Sequence, residues 1–364
     1  MTAPICHAGL EEPAPDSDPG ASMVAGDNDR LVNILLVKLS SLGDVVHAMP
    51  AVQDIRRTVP QTQIDWVVER AFAPLVQRCE GVQRVIGCEL RRWRNSPLGS
   101  QTRSEWRAFH NALRVQAYDA VLDLQGLTKS ALVSRTARLA DGGKRFALAN
   151  QTDGSSYEAP TRWAADVAFW IEPRVHAVTR SRELCARALG YDVPGTLHYG
   201  LRAHCSEDAH EVRIDESRCV TLVHGTSRED KCWPDAHWIE LGERLIASGL
   251  MLGLPHGSDA ERERAELLAA TLGPAAQVWP RLDLGQLTDR IAAGAGLIGV
   301  DSGLSHIAVA LDQPHVQIYN FETAWRTGPF VGEQPGSRQR AVYAQPTPSV
   351  DAVWQAWQQV RAPW

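Results

Sequence analysis

The chain has 364 residues, a formal net charge of −6 at pH 7 and a hydrophobic fraction of 44%. This length suits two domains of ordinary size, and the composition is that of a globular protein. No apolar run reaches the roughly 18 residues that a bilayer span requires, and no secretory signal is expected. The seven cysteines form no Cys-x-x-Cys pair, which favours reduced thiols in a cytosol over a disulfide framework or a structural zinc site.

The charge is distributed unevenly along the chain. Residues 1–30 carry a net charge of −5, residues 31–195 carry +6, and residues 196–364 carry −7. A basic segment in an acidic protein favours an anionic partner, such as a phosphate, an anionic lipid head group or nucleic acid. Nucleic acid is the least favoured of these partners because no nucleic-acid-binding signature is present.

The first half of the chain alternates between strand and helix patterns. Residues 1–30 are rich in Pro, Asp, Gly and Ala and are predicted to be a disordered leader. The predicted strands then cover 34–39, 64–68, 82–88 and 118–124, and the predicted helices cover 45–58, 73–79, 104–116, 128–139 and 176–190. Residues 91–100 and 142–159 are predicted to be loops. Repeated strand–helix units predict a doubly wound parallel sheet.

A second strand–helix series follows a crossover over 192–217. Its predicted strands cover 219–224, 251–254, 277–279, 296–300 and 316–319, and its predicted helices cover 234–248, 260–271, 284–293 and 304–311. A last helix, over 350–363, carries an apolar stripe and is predicted to pack back onto the body. The sequence therefore predicts an N-terminal domain over 31–195, a C-terminal domain over 196–345 and a C-terminal helical segment over 346–364.

The first candidate loop, Ser40-Ser41-Leu42-Gly43-Asp44, follows the first strand directly. In open α/β sheets, ligands bind beyond the carboxyl ends of the strands. Asp44 lies near a predicted helix N-terminus, where the helix dipole favours the ionised carboxylate. The alternative is that Asp44 only caps that helix.

Two further loops follow strands of the second series. Thr226, Ser227 and Lys231 offer hydroxyls and an ammonium suited to phosphate, although an ordinary loop with a solvated lysine is an equal alternative. Asp301-Ser302-Gly303 begins a predicted helix at which a phosphate or sugar could approach the backbone, or at which these residues only cap the helix. His306 alone is more typical of a structural histidine.

Arginines are concentrated in the predicted loop over 91–100. Arg91, Arg92 and Arg94 surround Trp93 and could clamp carboxylates or phosphates, or could form a solvated surface run. The Gly-x-Gly-x-x-Gly string over 294–299 leads into a strand instead of following one, so nicotinamide binding is not favoured. No metal-ligand cluster is present in the sequence.

Three separated motifs together resemble the bacterial ADP-heptose:lipopolysaccharide heptosyltransferases of glycosyltransferase family 9. They are SSLGD over 40–44, HGTSREDKCWP over 224–234 and VDSGLSH over 300–306. The similarity covers most of 31–320 and includes RRWR over 91–94, YDAVLDLQGLTKSALV over 118–133 and HAVTRSREL over 176–184. The sequence departs from the family pattern at Ser227, where a threonine is expected, over 145–175, and at Asn-Phe-Glu-Thr over 320–323, which replaces Gly-Pro-Thr-Asp.

The resemblance implies a GT-B fold, in which two Rossmann-like domains face each other across a cleft. It also implies inverting, metal-independent heptose transfer from ADP-heptose to a Kdo residue of Kdo₂-lipid A, as in the type I enzymes. Such an enzyme needs no cofactor and would contact the cytoplasmic face of the inner membrane peripherally.

The resemblance also implies roles for individual residues. Asp44 corresponds to the catalytic base, Lys231 stabilises the leaving ADP, and Glu261 lies near the adenosine ribose. The groups that hold the donor phosphates and sugar would be Thr226, Ser227, Lys231, Asp301, Ser302, Gly303 and His306. The acceptor would be bound by Ser40, Ser41, Gly43, Arg91, Arg92 and Arg94.

Three alternatives remain open at this point. A heptosyltransferase of type II or III would act on a core that already carries heptose. A non-catalytic protein could bind an ADP-sugar or an anionic lipid without transferring anything. A nucleotide-sugar epimerase of similar fold is the weakest of the three.

Overall fold

The computed structural model describes residues 31–204, 216–330 and 337–361. The predicted leader over residues 1–30 therefore lies outside the described residues. Within the described ranges, no helix is both long enough and apolar enough to cross a membrane.

The first half of the described chain folds around a six-stranded parallel sheet. Its strands are β1 (Val32–Val37), β2 (Thr62–Glu69), β3 (Val82–Cys88), β4 (Tyr118–Asp123), β5 (Leu139–Leu148) and β6 (Val167–Phe169). The helices that accompany them are α1 (Leu42–Thr58), α2 (Ala73–Val76), α3 (Leu90–Asn95), α4 (Ser100–Arg114), α5 (Thr128–Thr136), α6 (Pro160–Ala164) and α7 (Ala177–Leu189). The spatial order β3-β2-β1-β4-β5-β6 is doubly wound and changes direction between β1 and β4.

The second half repeats this arrangement. Its strands are β7 (Cys219–Val223), β8 (Met251–Leu254), β9 (Ala276–Val278), β10 (Gly296–Val300), β11 (His315–Tyr319) and β12 (Gln339–Tyr343). The helices are α8 (Asp235–Ala247), α9 (Asp259–Leu272), α10 (Leu284–Ala293), α11 (Gly303–Ala310), α12 (Ala324–Thr327) and α13 (Val350–Val360). The order β12-β11-β10-β7-β8-β9 changes direction between β7 and β10. The prediction of two doubly wound parallel sheets is confirmed.

Buried apolar strands form the centre of each sheet. Residues 34–37 of β1 are fully buried, and β1 pairs in parallel with β2 on one side and β4 on the other. All five residues of β10 are buried between β7 and β11. A strand covered on both faces is a continuous apolar run, which is why these strands could be recognised in the sequence.

Two predicted loops are regular structure instead. Residues 142–148 of the predicted loop over 142–159 belong to β5, whose first half is glycine-rich and joins the sheet by backbone pairing with β4. The predicted loop over 91–100 contains the short helix α3, because Trp93 is buried and donates its indole N–H to Glu105 at 2.8 Å. Both segments lack a regular apolar pattern, so tertiary contacts decide their conformation.

The C-terminal helix α13 packs on the second sheet, against β11, β12 and α8. Its stripe of Val353, Trp357 and Val360 is buried there. The backbone N–H of Glu80, between α2 and β3, donates to the carbonyl of Gly200 at 2.7 Å, so the segment after α7 still packs against the first half of the chain. The domain boundaries at 195/196 and 345/346 stay predictions.

Helices α1 and α11 bring the two halves together at the carboxyl ends of both sheets. A Cβ atom on Gly43 would lie 2.7 Å from Cδ2 of His306, and one on Gly303 would lie 2.5 Å from Cδ2 of Leu42. Glycine at both positions therefore lets the two helix N-termini approach each other. A second contact joins α10 to the residues after α2, where Nε of Arg78 donates to Asp289 at 3.1 Å.

Candidate active site

The three predicted loops meet in one cleft with a volume of about 390 Å³. The cleft lies where both sheets change direction, which is the position expected for a ligand in this topology. The first domain contributes Ser41, Leu42, Gly43, Asp44, His47, Asp153, Gly154, Val175, Ala177 and Arg180 to its wall. The second domain contributes Thr226, Ser227, Lys231, Asp301, Ser302, Gly303, His306, Arg326 and Thr327.

Asp44 is held by two cations and by its own helix. Its Oδ1 lies 3.4 Å from Nζ of Lys38 and accepts a hydrogen bond of 3.2 Å from Arg180. Its Oδ2 accepts from the backbone N–H and the hydroxyl of Ser41 in a capping box. Asp44 therefore does cap α1, and it still presents a side chain that is 34% exposed to the cleft.

The charge of Asp44 follows from these neighbours. Burial favours the neutral acid, but the positive charges of Lys38 and Arg180 outweigh it and hold the pKa of Asp44 well below its usual range. Asp44 is thus a carboxylate at neutral pH, at the site where the first sheet changes direction.

Lys38 is buried at the end of β1. Its ammonium donates to the carbonyl of Leu124 at 3.0 Å in addition to facing Asp44. Burial lowers the pKa of Lys38 to about 8, although the carboxylate of Asp44 opposes this. The sequence contains only four lysines, and this scarcity was the signal that could have identified Lys38 as a site residue.

Arg180 connects Asp44 to a loop of the same domain. One guanidinium nitrogen donates to Asp44, and another donates to the hydroxyl of Thr152 at 3.0 Å. Burial lowers the pKa of Arg180, and the charge of Asp44 opposes this effect. Arg180 lies in the motif over 176–184, but nothing in that motif indicated that it reaches a residue 136 positions away.

Lys231 and Asp301 form an ion pair on the opposite wall. Nζ of Lys231 lies 2.6 Å from Oδ2 of Asp301, and the hydroxyl of Thr226 donates to the carbonyl of Asp301 at 3.1 Å. Ser302 occupies the N-cap position of α11 without capping it, and its buried hydroxyl has no hydrogen-bond partner among the described residues. The capping alternative therefore does not account for Asp301 or Ser302.

His306 is buried between the domains. Nε2 of His306 lies 3.7 Å from Oδ1 of Asp301, and its ring packs on His47 with 4.4 Å between the centroids. The ring of His176 packs edge-on against the other side of this pair, with 5.7 Å between its centroid and that of His47. Burial lowers the pKa of all three histidines, so the stack is neutral at pH 7.

Glu261 lies away from the wall of this cleft. Its Oε2 accepts the backbone N–H groups of Gly257 at 2.7 Å and Ser258 at 3.2 Å, in the capping box of α9. Its carboxylate also lies against Gly225, where a Cβ atom would come within 2.5 Å of Oε1 and would displace the Glu261 side chain. Glu261 is thus a cap that adjoins the loop carrying Thr226 and Ser227.

The three arginines of α3 face different surroundings. Nε of Arg92 donates to Oε2 of Glu89 at 2.6 Å, and the same guanidinium also pairs with Glu105. Arg91 and Arg94 instead line a second pocket, together with Leu90, Leu127, Thr128, Lys129 and Glu158. Lys129 donates to the hydroxyl of Ser40 at 3.3 Å, which connects this pocket to the loop of Asp44.

Within the described ranges, no three His, Cys, Asp or Glu side chains are grouped in a way that could hold a metal ion. The cleft is lined by carboxylates, an ammonium and guanidinium groups, hydroxyls, imidazoles and the N-termini of α1 and α11. The carboxylate of Asp44 could act as a general base, and the ammonium of Lys231 on the opposite wall could stabilise the charge of a leaving group.

Sequence comparison with known proteins identifies the family of this chain. The family model for glycosyltransferase family 9 (heptosyltransferase) matches residues 106–353. Lipopolysaccharide heptosyltransferase 1 of Pseudomonas aeruginosa is 39% identical over 306 residues, which are 82% of this chain and 81% of that protein. The protein of the same name from Escherichia coli (strain K12) is 37% identical over 290 residues, covering 79% and 88%.

Solved structures agree with the sequence comparison. The E. coli heptosyltransferase WaaC with ADP is 33% identical, with a TM-score of 0.76 over 89% of this chain and 98% of that one. The structure of WaaC with ADP-2-deoxy-2-fluoro heptose gives a TM-score of 0.72 at the same coverage. Lipopolysaccharide heptosyltransferase 2 of E. coli (strain K12) is only 26% identical over 79% of this chain. The predicted GT-B fold is confirmed, and the chain belongs to glycosyltransferase family 9, the heptosyltransferases.

Proposed function

We propose that this heptosyltransferase is of type I and moves heptose from ADP-heptose to a Kdo residue of Kdo₂-lipid A, with inversion at the anomeric carbon. The observation that carries the proposal is the cleft in which Asp44 of the first domain faces Lys231 and Asp301 of the second. The identities of 37–39% to type 1 relatives, against 26% to a type 2 relative, support this acceptor over an already heptosylated core.

The donor diphosphate would lie against the second domain. Lys231 supplies an ammonium, the N-terminus of α11 supplies backbone N–H groups, and the hydroxyl of Ser302, which has no partner in the described part of the chain, supplies a further donor. Leaving ADP gains negative charge as the bond to the sugar breaks, and these groups stabilise that charge. The relative WaaC has been solved with ADP and with an ADP-heptose analogue, which supports the same donor here.

Asp44 would be the catalytic base. The acceptor hydroxyl must lose its proton as its oxygen attacks C1 of the heptose, and a positioned carboxylate that accepts this proton is typically worth 10²–10⁴-fold in rate. The carboxylate is ionised because Lys38 and Arg180 lower its pKa, and it faces the cleft. Lys38 and Arg180 are then positioning residues that fix the orientation of Asp44.

The acceptor would approach over the first domain. Arg91, Arg94 and Lys129 surround a pocket that is connected to Ser40. Kdo carboxylates and lipid A phosphates would meet positive charge there, in the segment with a net charge of +6. Arg92 contributes less to this attraction because Glu89 and Glu105 neutralise it. A peripheral position at the cytoplasmic face of the inner membrane suits an acceptor anchored in that membrane.

A transfer assay tests the proposal directly. The purified protein is incubated with ADP-heptose and either Kdo₂-lipid A or its heptosylated product, and the products are identified by mass spectrometry. We expect one heptose to be added to Kdo₂-lipid A and little transfer to the second acceptor. Preference for the heptosylated acceptor would indicate type II or III, and ADP binding without any product would indicate a non-catalytic protein.

A further inference from the structure

The segment after β11 crosses from the second domain to the first, and its sequence departs from the family pattern. This segment contains α12 (Ala324–Thr327) and continues to Phe330. Nε2 of His176 lies 3.0 Å from the carbonyl oxygen of Gly328, and the His176 ring packs edge-on against Phe330 at 4.9 Å between centroids. The guanidinium of Arg174 lies 4.8 Å from the centre of the Trp325 ring. Residues of the first domain therefore hold this segment at the rim of the cleft.

Arg326 points from this segment into the cleft, where its guanidinium lies against Gly154 of the first domain. A Cβ atom on Gly154 would overlap the guanidinium, and the backbone φ of +67° also favours glycine at this position. The loop that carries Gly154 is fixed, because Asp153 donates its N–H to Pro173 at 2.8 Å and Thr152 accepts a hydrogen bond from Arg180. Arg326 thus packs against an ordered loop of the first domain.

The guanidinium of Arg326 has no hydrogen bond or ion pair with any residue in the described parts of the chain. The other cations of the cleft are engaged, since Lys38 and Arg180 face Asp44 and Lys231 pairs with Asp301. Arg326 is close enough to Arg180 for its positive charge to lower the pKa of that residue. A guanidinium that has no partner among the described residues and lies beside another cation can form charge-assisted hydrogen bonds with an anion without first breaking an ion pair.

The charge of Asp44 determines which anion fits this position. An acceptor sugar that carries a carboxylate must bring it close to the ionised Asp44, which repels it. A neighbouring cation that is not already used by Asp44 offsets this repulsion. The donor diphosphate, in contrast, has Lys231, the hydroxyl of Ser302 and the N-terminus of α11 on its own wall.

We propose that Arg326 is a further substrate-binding residue whose guanidinium, seated against Gly154, binds the carboxylate of the acceptor sugar beside Asp44. This inference rests on the proposed function, since it assumes a carboxylated acceptor. The same chemistry could serve the phosphates of the donor, so the experiment measures both substrates separately.

The experiment compares Arg326→Leu and Arg326→Lys with the wild-type protein, using Arg361→Leu as a control at an exposed position of the second domain. We expect Arg326→Leu to raise KM for Kdo₂-lipid A about 10- to 100-fold, the range of a charge-assisted hydrogen bond. The affinity for ADP, measured by calorimetry, should change less than twofold. Arg326→Lys should recover part of the loss, because it restores the charge without the bidentate fork.

Gly154→Ala provides an independent test of the contact between Arg326 and Gly154. The added methyl group displaces the guanidinium, so KM for the acceptor should rise as in Arg326→Leu. The double variant should be no worse than Arg326→Leu alone, since both changes remove the same contact. Melting temperatures of all variants show whether the fold is retained.

Two results would overturn the inference. An unchanged acceptor KM in Arg326→Leu would remove the proposed contact, and a weakened affinity for ADP with an unchanged acceptor KM would assign Arg326 to the donor. Failure of the proposed function is seen separately, because the wild-type protein would then transfer no heptose to Kdo₂-lipid A. Direct binding of free Kdo to wild type and Arg326→Leu, followed by NMR, tests the carboxylate contact even in that case.

Discussion

Lys231 and Asp301 form an ion pair of 2.6 Å between the loops that follow β7 and β10. These strands are neighbours at the position where the second sheet changes direction, so the pair closes the base of the cleft. A phosphate that binds Lys231 must share or replace the carboxylate of Asp301. The ion pair therefore holds the ammonium of Lys231 in position before the donor binds. The contribution of Lys231 to donor binding can be measured with a variant.

Lys231→Gln should weaken ADP binding about 10- to 100-fold, because the variant loses a charge-assisted contact and leaves Asp301 to repel the phosphates. Isothermal calorimetry with ADP gives the change in Kd. Lys144→Gln is the matched control, since Lys144 is exposed on β5 and is not part of the cleft wall. Equal Kd values for Lys231→Gln and wild type would exclude Lys231 from the donor site.

Asp44→Asn should lower kcat about 10²- to 10⁴-fold while leaving the affinity for ADP within about twofold, because the amide cannot accept the proton of the acceptor hydroxyl. Asp192→Asn is the control, since Asp192 is exposed after α7 and is not part of the cleft wall. Initial rates at saturating substrate and calorimetry with ADP separate the two effects. Near-wild-type turnover in Asp44→Asn would remove Asp44 as the base.

Lys38→Met should change the pH dependence of the reaction. In the wild type, Lys38 and Arg180 hold the pKa of Asp44 well below its usual range, so Asp44 stays ionised as the pH falls to about 5. Removing one cation raises the pKa of the carboxyl group, so the acidic limb of kcat/KM should move to higher pH. Profiles between pH 4 and 8 measure this shift, with Lys144→Met as control. Superimposable profiles for Lys38→Met and wild type would contradict the positioning role.

Arg182→Met should destabilise the first domain by about 1.5–3 kcal/mol, because it removes the close, buried cation from Asp54 and leaves only the more exposed Arg57, at 3.3 Å. Nε of Arg182 lies 2.6 Å from Oδ2 of Asp54, and both residues are buried between α1 and α7. Urea denaturation gives the change in the free energy of unfolding.

Arg187→Met is the control for that measurement, since Arg187 lies on the same helix and pairs with Glu183 at the surface. An exposed pair of this kind is worth about 0–0.5 kcal/mol. If both arginine variants lose the same small amount of stability, the buried pair with Asp54 does not stabilise the domain as argued.

Much of the fold could be predicted from local patterns. The apolar run of β1 and the glycine-containing turn after it are properties of neighbouring residues, and so is the alternation of strands and helices in both halves. Because the loops that follow parallel strands lie at one edge of a sheet, their positions follow from the strand pattern. The sequence alone therefore identified the three loops of the cleft.

The partners of the site residues depended on the tertiary structure. The sheet order brings Arg180 to Asp44 across 136 residues, and the crossing segment after β11 brings Arg326 to Gly154. No local pattern shows that Glu89 and Glu105 neutralise Arg92, or that Glu261 caps α9. Electrostatic interactions depend on distance in space and on burial, so the charge and the pKa of each site residue were decided only when the two sheets came together.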